Sequence, residues 1–172
     1  NIDLTARSIL DIGCGFGDLL SLIQEEKIEI CSYRGWDINP DLIEAARTKF
    51  EGSTINDVIF EVIDISNQNI EKNISDVGYM LGLLNLNFHE DFDNLTYSKL
   101  MITNAFSAVN ELLVVDFLSN RLTPDYPKED FVFYHDPAKM LDFALTLTPN
   151  VVLKHNYAPI PQREFLLALY KN

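Results

Sequence analysis

Ile9-Leu10-Asp11-Ile12-Gly13-Cys14-Gly15-Phe16-Gly17-Asp18 is the stretch on which the fold turns. Residues 8–12 form a short apolar run of strand character, and 18–26 puts Leu19, Leu20 and Ile23 on one helical face. Between the two, glycines take alternate positions of a strand-to-helix turn. Glycine enters left-handed backbone conformations at little cost, and a turn without side chains lets a ligand approach the main chain and the first N–H groups of the helix. A tight β–α connection needs the same residues. The meaning of the turn therefore depends on the rest of the chain.

Outward from it, strand patterns alternate with helical ones. Residues 30–37 read as a second strand, followed by Asn39 as helix cap and Pro40 at the first helical position. Ile38 and Ile43 are spaced for a hydrophobic staple around that cap, and the helix runs to about Phe50. A third strand spans 58–63, a loop or short helix 66–73, and a fourth strand 77–81. Leu95, Ile102, Ala105, Phe106 and Val109 mark a long amphipathic helix, and 112–118 a fifth strand. Residues 119–135, with Pro124 and Pro127, lack a period; a connection of that length in a compact domain commonly carries function. Asp136-Pro137 restarts a helix to about Leu147. Residues 151–157 and 164–170 then form a hairpin around Pro159 and Pro161. Such alternation predicts an α/β fold with a parallel sheet covered on both faces and one antiparallel member.

The chain has 172 residues, 47% of them hydrophobic, which suits one domain, 1–172, with a buried core. Its net charge of −13 repels phosphate backbones, and Lys and Arg are scattered; the densest group, Arg47 with Lys49, sits beside Glu44 and Glu51. Nucleic acid is therefore not expected as a partner. No apolar run approaches the roughly 20 residues of a membrane span, and no signal-peptide pattern opens the chain. Cys14 and Cys31 belong to no CxxC pair, which argues against zinc and disulfides and suits a reducing cytoplasm.

Three further features give the glycine turn a ligand. Asp37 ends the second strand, where a carboxylate can accept hydrogen bonds from both hydroxyls of a ribose. Asp64-Ile65 ends the third, offering an acceptor for the adenine amino group and an aliphatic cover for the ring. Gly82-Leu83 follows the fourth and permits close approach. All lie at the carboxyl ends of consecutive strands, where open α/β sheets bind ligands. A nicotinamide-dinucleotide site, the oxidoreductase alternative, asks for G-x-G-x-x-G/A; here Asp18 follows Gly13 and Gly15 at the third place. Its carboxylate would repel a pyrophosphate.

Asp11-x-Gly13-x-Gly15-x-Gly17, Asp37, Asp64-Ile65 and the closing hairpin resemble the class I S-adenosylmethionine-dependent methyltransferases. The resemblance covers almost the whole chain. It implies a Rossmann-like three-layer sandwich with a seven-stranded sheet of order 3-2-1-4-5-7-6, strand 7 antiparallel. It implies S-adenosylmethionine as cofactor, with Asp11, Gly13, Cys14, Gly15 and Gly17 toward its methionine part. Asp37 and Ile38 would hold the ribose end and Asp64 and Ile65 the adenine, with Gly82 and Leu83 also among the cofactor-binding residues. The N-terminal helix that commonly covers the cofactor in this family has almost no room before the first strand, so an open site is expected.

On the acceptor side, Asn85, Asp116-Phe117-Leu118-Ser119, Tyr134-His135-Asp136-Pro137 and His155-Asn156-Tyr157 with Glu164-Phe165 more loosely resemble a bacterial group of small methyltransferases found with surface-polysaccharide genes. That resemblance implies a small-molecule acceptor, methylated on O or N. His135 is the first choice of general base and Asn85 a positioning residue, with Phe133 and Tyr134 as pocket walls. His89, between Glu90 and Asp91, reads as a solvated loop residue, and His155 as a histidine within a strand. Gly82-Leu83-Leu84-Asn85 stands where methyltransferases of DNA bases and glutamine carry an Asn/Asp-Pro-Pro-aromatic run, which disfavours that chemistry. Asp116 lacks the acidic companions of the metal-dependent catechol type, so no metal is expected. The non-enzymatic alternative is a cofactor-binding subunit of a larger complex.

Overall fold

The computed structural model describes residues 3–66, 69–88, 92–156 and 163–171. In chain order the elements are β1 (Ser8–Ile12), α1 (Asp18–Glu25), β2 (Ser32–Asp37), α2 (Pro40–Lys49), β3 (Val58–Val62), β4 (Ser75–Met80), α3 (Asn94–Ala108), β5 (Val109–Leu118), α4 (Pro137–Leu147), β6 (Val151–Lys154) and β7 (Glu164–Tyr170). The strands form one seven-stranded sheet of order β3-β2-β1-β4-β5-β7-β6. β1 to β5 pair in parallel, and β7 runs antiparallel to both β5 and β6. This is the topology expected from the resemblance.

Alternate strand residues face opposite ways, so the sheet builds two cores. Ile9, Tyr33, Phe60, Val77, Leu112 and Val114 meet Leu20 and Ile23 of α1 and Ile43 and Ala46 of α2 on one face. Leu10, Ile12, Met80, Leu113, Val115 and Phe117 meet Met101, Ile102 and Ala105 of α3 and Met140 and Ala144 of α4 on the other. The caps behave as their residue types dictate. Asn39 accepts from the Asp41 N–H with Pro40 behind it, and Asp136 accepts from the N–H groups of Ala138 and Lys139 with Pro137 behind it.

The boundaries shift where tertiary bonds replace local signals. Val109 opens β5 and does not belong to the helix before it. α3 passes into the strand without a loop because the N–H groups of Asn73 and Ile74 take the carbonyls of Ser107 and Ala108. β2 begins at Ser32, not residue 30. The expected staple leaves Ile38 at 66% exposure although Ile43 is fully buried. β6 stops at Lys154, which puts His155 beyond the strand; Tyr157, Pro159, Pro161 and the His89-Glu90-Asp91 group lie outside the described residues. Among the described residues no helix is long and apolar enough to cross a membrane.

Candidate active site

The glycine turn is held open by its own backbone. Gly13, Gly15 and Gly17 all have positive φ, at 76°, 53° and 74°. The N–H groups of Gly13 and Cys14 both donate to the Trp36 carbonyl, at 2.7 and 2.9 Å, which locks the turn onto the end of β2. At Gly17 a Cβ would come within 2.6 Å of the Phe50 ring, so this position needs glycine for packing as well as conformation. Cys14 contributes main chain only: its side chain is buried against Gly35, and burial pushes its thiol up to about 12.

Asp37 does two structural jobs before it meets any ligand. Its Oδ2 accepts from the Gly15 N–H at 3.0 Å and its Oδ1 from the Asn39 N–H at 2.8 Å. The carboxylate thereby ties the glycine turn to the start of α2. Asp11 is 5% exposed and accepts from the Tyr33 hydroxyl across the β1–β2 pair. Burial pushes its carboxyl up to about 6, against the opposing effect of the Tyr33 bond; Asp18 and Asp37 add repulsion. A buried carboxyl that still ionises is a ready partner for a ligand cation.

Asp64 is exposed and accepts from the Ser66 N–H and hydroxyl, an Asx turn that fixes its carboxylate at the end of β3. It faces Tyr97, whose hydroxyl is raised by burial and then by the Asp64 charge. A slot of about 70 Å³ runs along these strand ends, lined by Gly13, Asp37, Ile38, Asp64, Ile65 and Leu83 together with Trp36, Tyr97 and Met101. Its walls are aliphatic and aromatic, with carboxylates among them. A larger concavity of about 660 Å³ follows α2 and the outer edge of β3, but it holds none of the strand-end carboxylates, and size alone does not make it the site. Tyr97 and Met101 were missed as site residues in the sequence. Their i, i+4 spacing on α3 resembles ordinary core, and only the tertiary fold brings that helix turn beside the residues that follow β3.

Asp18 also differs from expectation. Its carboxylate pairs with Lys49 at 3.0 Å on an exposed surface, so it is partly neutralised. The weight of the argument against a pyrophosphate moves to Asp11 and Asp37.

On the acceptor side, His135, the first choice of general base, is enclosed. It is 1% exposed, its ring packed at 4.8 Å against both Phe117 and Phe133. The Ser98 hydroxyl donates to the Asn94 carbonyl and contacts His135 Nε2 at 3.0 Å, an arrangement that favours the Nε2–H tautomer of the imidazole. Burial pushes it down to about 4, which keeps it neutral and makes it a weak base at neutral pH. Asn85 is equally committed: its Oδ1 accepts from the Leu118 N–H at 2.8 Å and its carbonyl from the Phe133 N–H. Both residues fasten the 119–135 connection to the end of β5. Phe133 and Tyr134 do line a cleft, of about 380 Å³, with Asn87, Asn120 and Leu122. His155 contacts the Ser119 hydroxyl at 2.8 Å and stacks on Phe165.

A methyltransferase-domain family model matches residues 9–117, which contain the glycine turn and every strand-end carboxylate named above. The chain belongs to the methyltransferase-domain family. A Mycobacterium tuberculosis protein, provisionally named a methyltransferase, is 38% identical over 52 residues; the match spans 30% of this chain and 31% of that protein. Among solved structures, the magnesium protoporphyrin IX methyltransferase of Synechocystis PCC 6803, with S-adenosylhomocysteine bound, superposes with a TM-score of 0.70 at 17% identity, over 99% of this chain and 76% of that one. A small RNA methyltransferase superposes with a TM-score of 0.72 at 16% identity, over 98% and 23%. At such identities the two structures share the fold, and their substrates differ widely. The chain is thus a methyltransferase domain whose acceptor the family does not specify.

Proposed function

We propose that this domain binds S-adenosylmethionine along the carboxyl ends of β1 to β4 and transfers its methyl group to the oxygen or nitrogen of a small molecule. The observation that carries the donor side is the cleft itself: Asp37 and Asp64 line an apolar slot beside the glycine turn, Asp11 is buried at the base of that turn, and the nearby Lys49 is engaged by Asp18. That donor set fits a nucleoside bearing positive charge and no phosphate. Asp11 and the Gly13–Gly17 turn take the ammonium and carboxylate ends of the methionine part, and Gly82 lies beside the reacting end. Asp37 holds the ribose hydroxyls, and Ile38, Asp64, Ile65, Leu83, Tyr97 and Met101 enclose the adenine. When bound, the cofactor supplies an electrophilic methyl on sulfur; the protein's contribution is to hold the acceptor in line with it.

The acceptor lies beyond the ends of β4 and β5. Asn85 and His135 shape that region through the main chain they hold. A polar small molecule of the sugar kind is supported by the narrower sequence resemblance, and the charge of −13 argues against a nucleic-acid acceptor. Calorimetric titration with S-adenosylmethionine, S-adenosylhomocysteine and NAD tests the donor reading. Binding of the first two without the third is expected, and NAD binding alone overturns it. Turnover on a panel of hydroxyl and amine acceptors separates an enzyme from a binding subunit.

A further inference from the structure

One carboxyl at the same sheet edge has no role in the site so far. Glu164 is the first residue of β7 and pairs with Leu118, the last residue of β5. Asp116 pairs with Leu166 one step inward, so Asp116, Leu118, Glu164 and Leu166 share a face, the one that carries Leu112, Val114 and Ala168 into the α1/α2 core. Asp116 is pinned: its Oδ1 accepts from the Gly82 N–H at 2.7 Å, tying the end of β4 to the end of β5. Glu164 is not pinned. It is 5% exposed, and among the described residues its Oε2 is buried with no hydrogen-bond partner. Native proteins rarely leave a buried carboxyl oxygen bare, and a ligand donor is one of the few things that satisfies it.

The position matches the direction of methyl transfer. β5 is parallel to β4 and β1, so Glu164 stands at the edge that carries the glycine turn, beyond Gly82. We propose that Glu164 is the proton acceptor of the reaction and contacts the hydroxyl or neutral amino group of the methyl acceptor; this rests on the cofactor reading above. The acceptor's oxygen or nitrogen lone pair forms the bond to the methyl carbon as the carbon–sulfur bond breaks. That bonding pair stays on sulfur, which becomes a neutral thioether, and the acceptor's proton passes to Glu164 Oε2. The facing charged group, Asp116, and burial both favour proton uptake: burial first, and Asp116 second, push Glu164 up to about 7. The sulfonium charge opposes that and keeps the carboxylate ionised until transfer. Once the charge disappears, the affinity of Glu164 for a proton returns, which couples proton removal to the methyl step. His135, held near 4, has no such match to neutral pH.

The test needs no known acceptor, because S-adenosylmethionine and S-adenosylhomocysteine differ at sulfur by one methyl and one positive charge. In protein labelled with 13C at glutamate carboxyls, the Glu164 signal is assigned by through-bond correlation and checked by its loss in Glu164→Gln. It is then titrated in the free protein and in both complexes. A midpoint lower by about one unit or more with S-adenosylmethionine than with S-adenosylhomocysteine is expected for a charge within about 8 Å. Identical midpoints in two complexes that calorimetry shows to be saturated overturn the role of Glu164 and leave the cofactor reading intact. Failure of S-adenosylmethionine to bind removes the cofactor reading itself.

Discussion

Asp11 sets function against stability, and Asp11→Asn makes the conflict measurable. The folded carboxyl titrates at about 6 against 3.8 for the model acid, a difference of about 2 units or about 3 kcal/mol. Because the folded value is the higher one, the native state binds more protons than the unfolded chain between these values. The contribution of Asp11 to stability is therefore complete below pH 3.8 and is lost as pH rises through 6. Asp11→Asn removes the buried charge and leaves an oxygen to accept from Tyr33. At pH 7 the variant should be more stable by up to about 3 kcal/mol in urea titration, and at pH 3.5 the advantage should vanish. The same change should weaken S-adenosylmethionine at pH 7, because the ligand ammonium loses its anion. For the parent, affinity should fall about tenfold between pH 7.5 and pH 5, since Asp11 must shed a proton to bind. Calorimetry in two buffers of different ionisation heat would count that proton. A flat affinity down to pH 5 without proton release, or an Asp11→Asn variant less stable than the parent at pH 7, would refute the reasoning.

Three other perturbations separate site from scaffold. Asp37→Ala should cost one to two decades of S-adenosylmethionine affinity and also lower Tm, because Gly15 and Asn39 lose their acceptor; unchanged calorimetric affinity would move the ribose contact elsewhere. Gly17→Ala should destabilise by about 1–3 kcal/mol in denaturant titration, since its Cβ meets the Phe50 ring at 2.6 Å with φ at +74°; a neutral result would mean the turn repacks freely. His135 is held neutral with a folded value near 4 against 6.5, so its contribution is complete above pH 6.5 and lost as pH falls toward 4. His135→Gln should flatten that acid limb by about 3 kcal/mol, which parallel urea titrations at pH 7 and pH 4 would show.

The local signals in the sequence were sufficient for most of the fold. Glycine at three alternate positions can satisfy a left-handed turn, Asn39-Pro40 and Asp136-Pro137 cap helices by their own chemistry, and apolar strands alternating with amphipathic helices require a covered parallel sheet. The identities of Asp11, Asp37 and Asp64 at successive strand ends were legible for the same reason: strand periodicity tells where a strand stops. What sequence could not give was anything decided by burial or by bonds between distant segments. Val109 has the pattern of a helical residue and becomes strand because the 73–74 backbone caps α3 first. His135 has the setting of a loop base, and only the closure of Phe117, Phe133 and Ser98 around it removes it from solvent and from useful titration. Tyr97 and Met101 carry no motif, and Glu164 entered only with Phe165 in the looser resemblance, without a role. Tyr97 and Met101 join the strand-end slot because helix packing brings α3 beside the residues that follow β3, and antiparallel register sets Glu164 of β7 against the end of β5. Local propensity fixes what a segment becomes, and the long-range contacts fix which side chains it shares a site with.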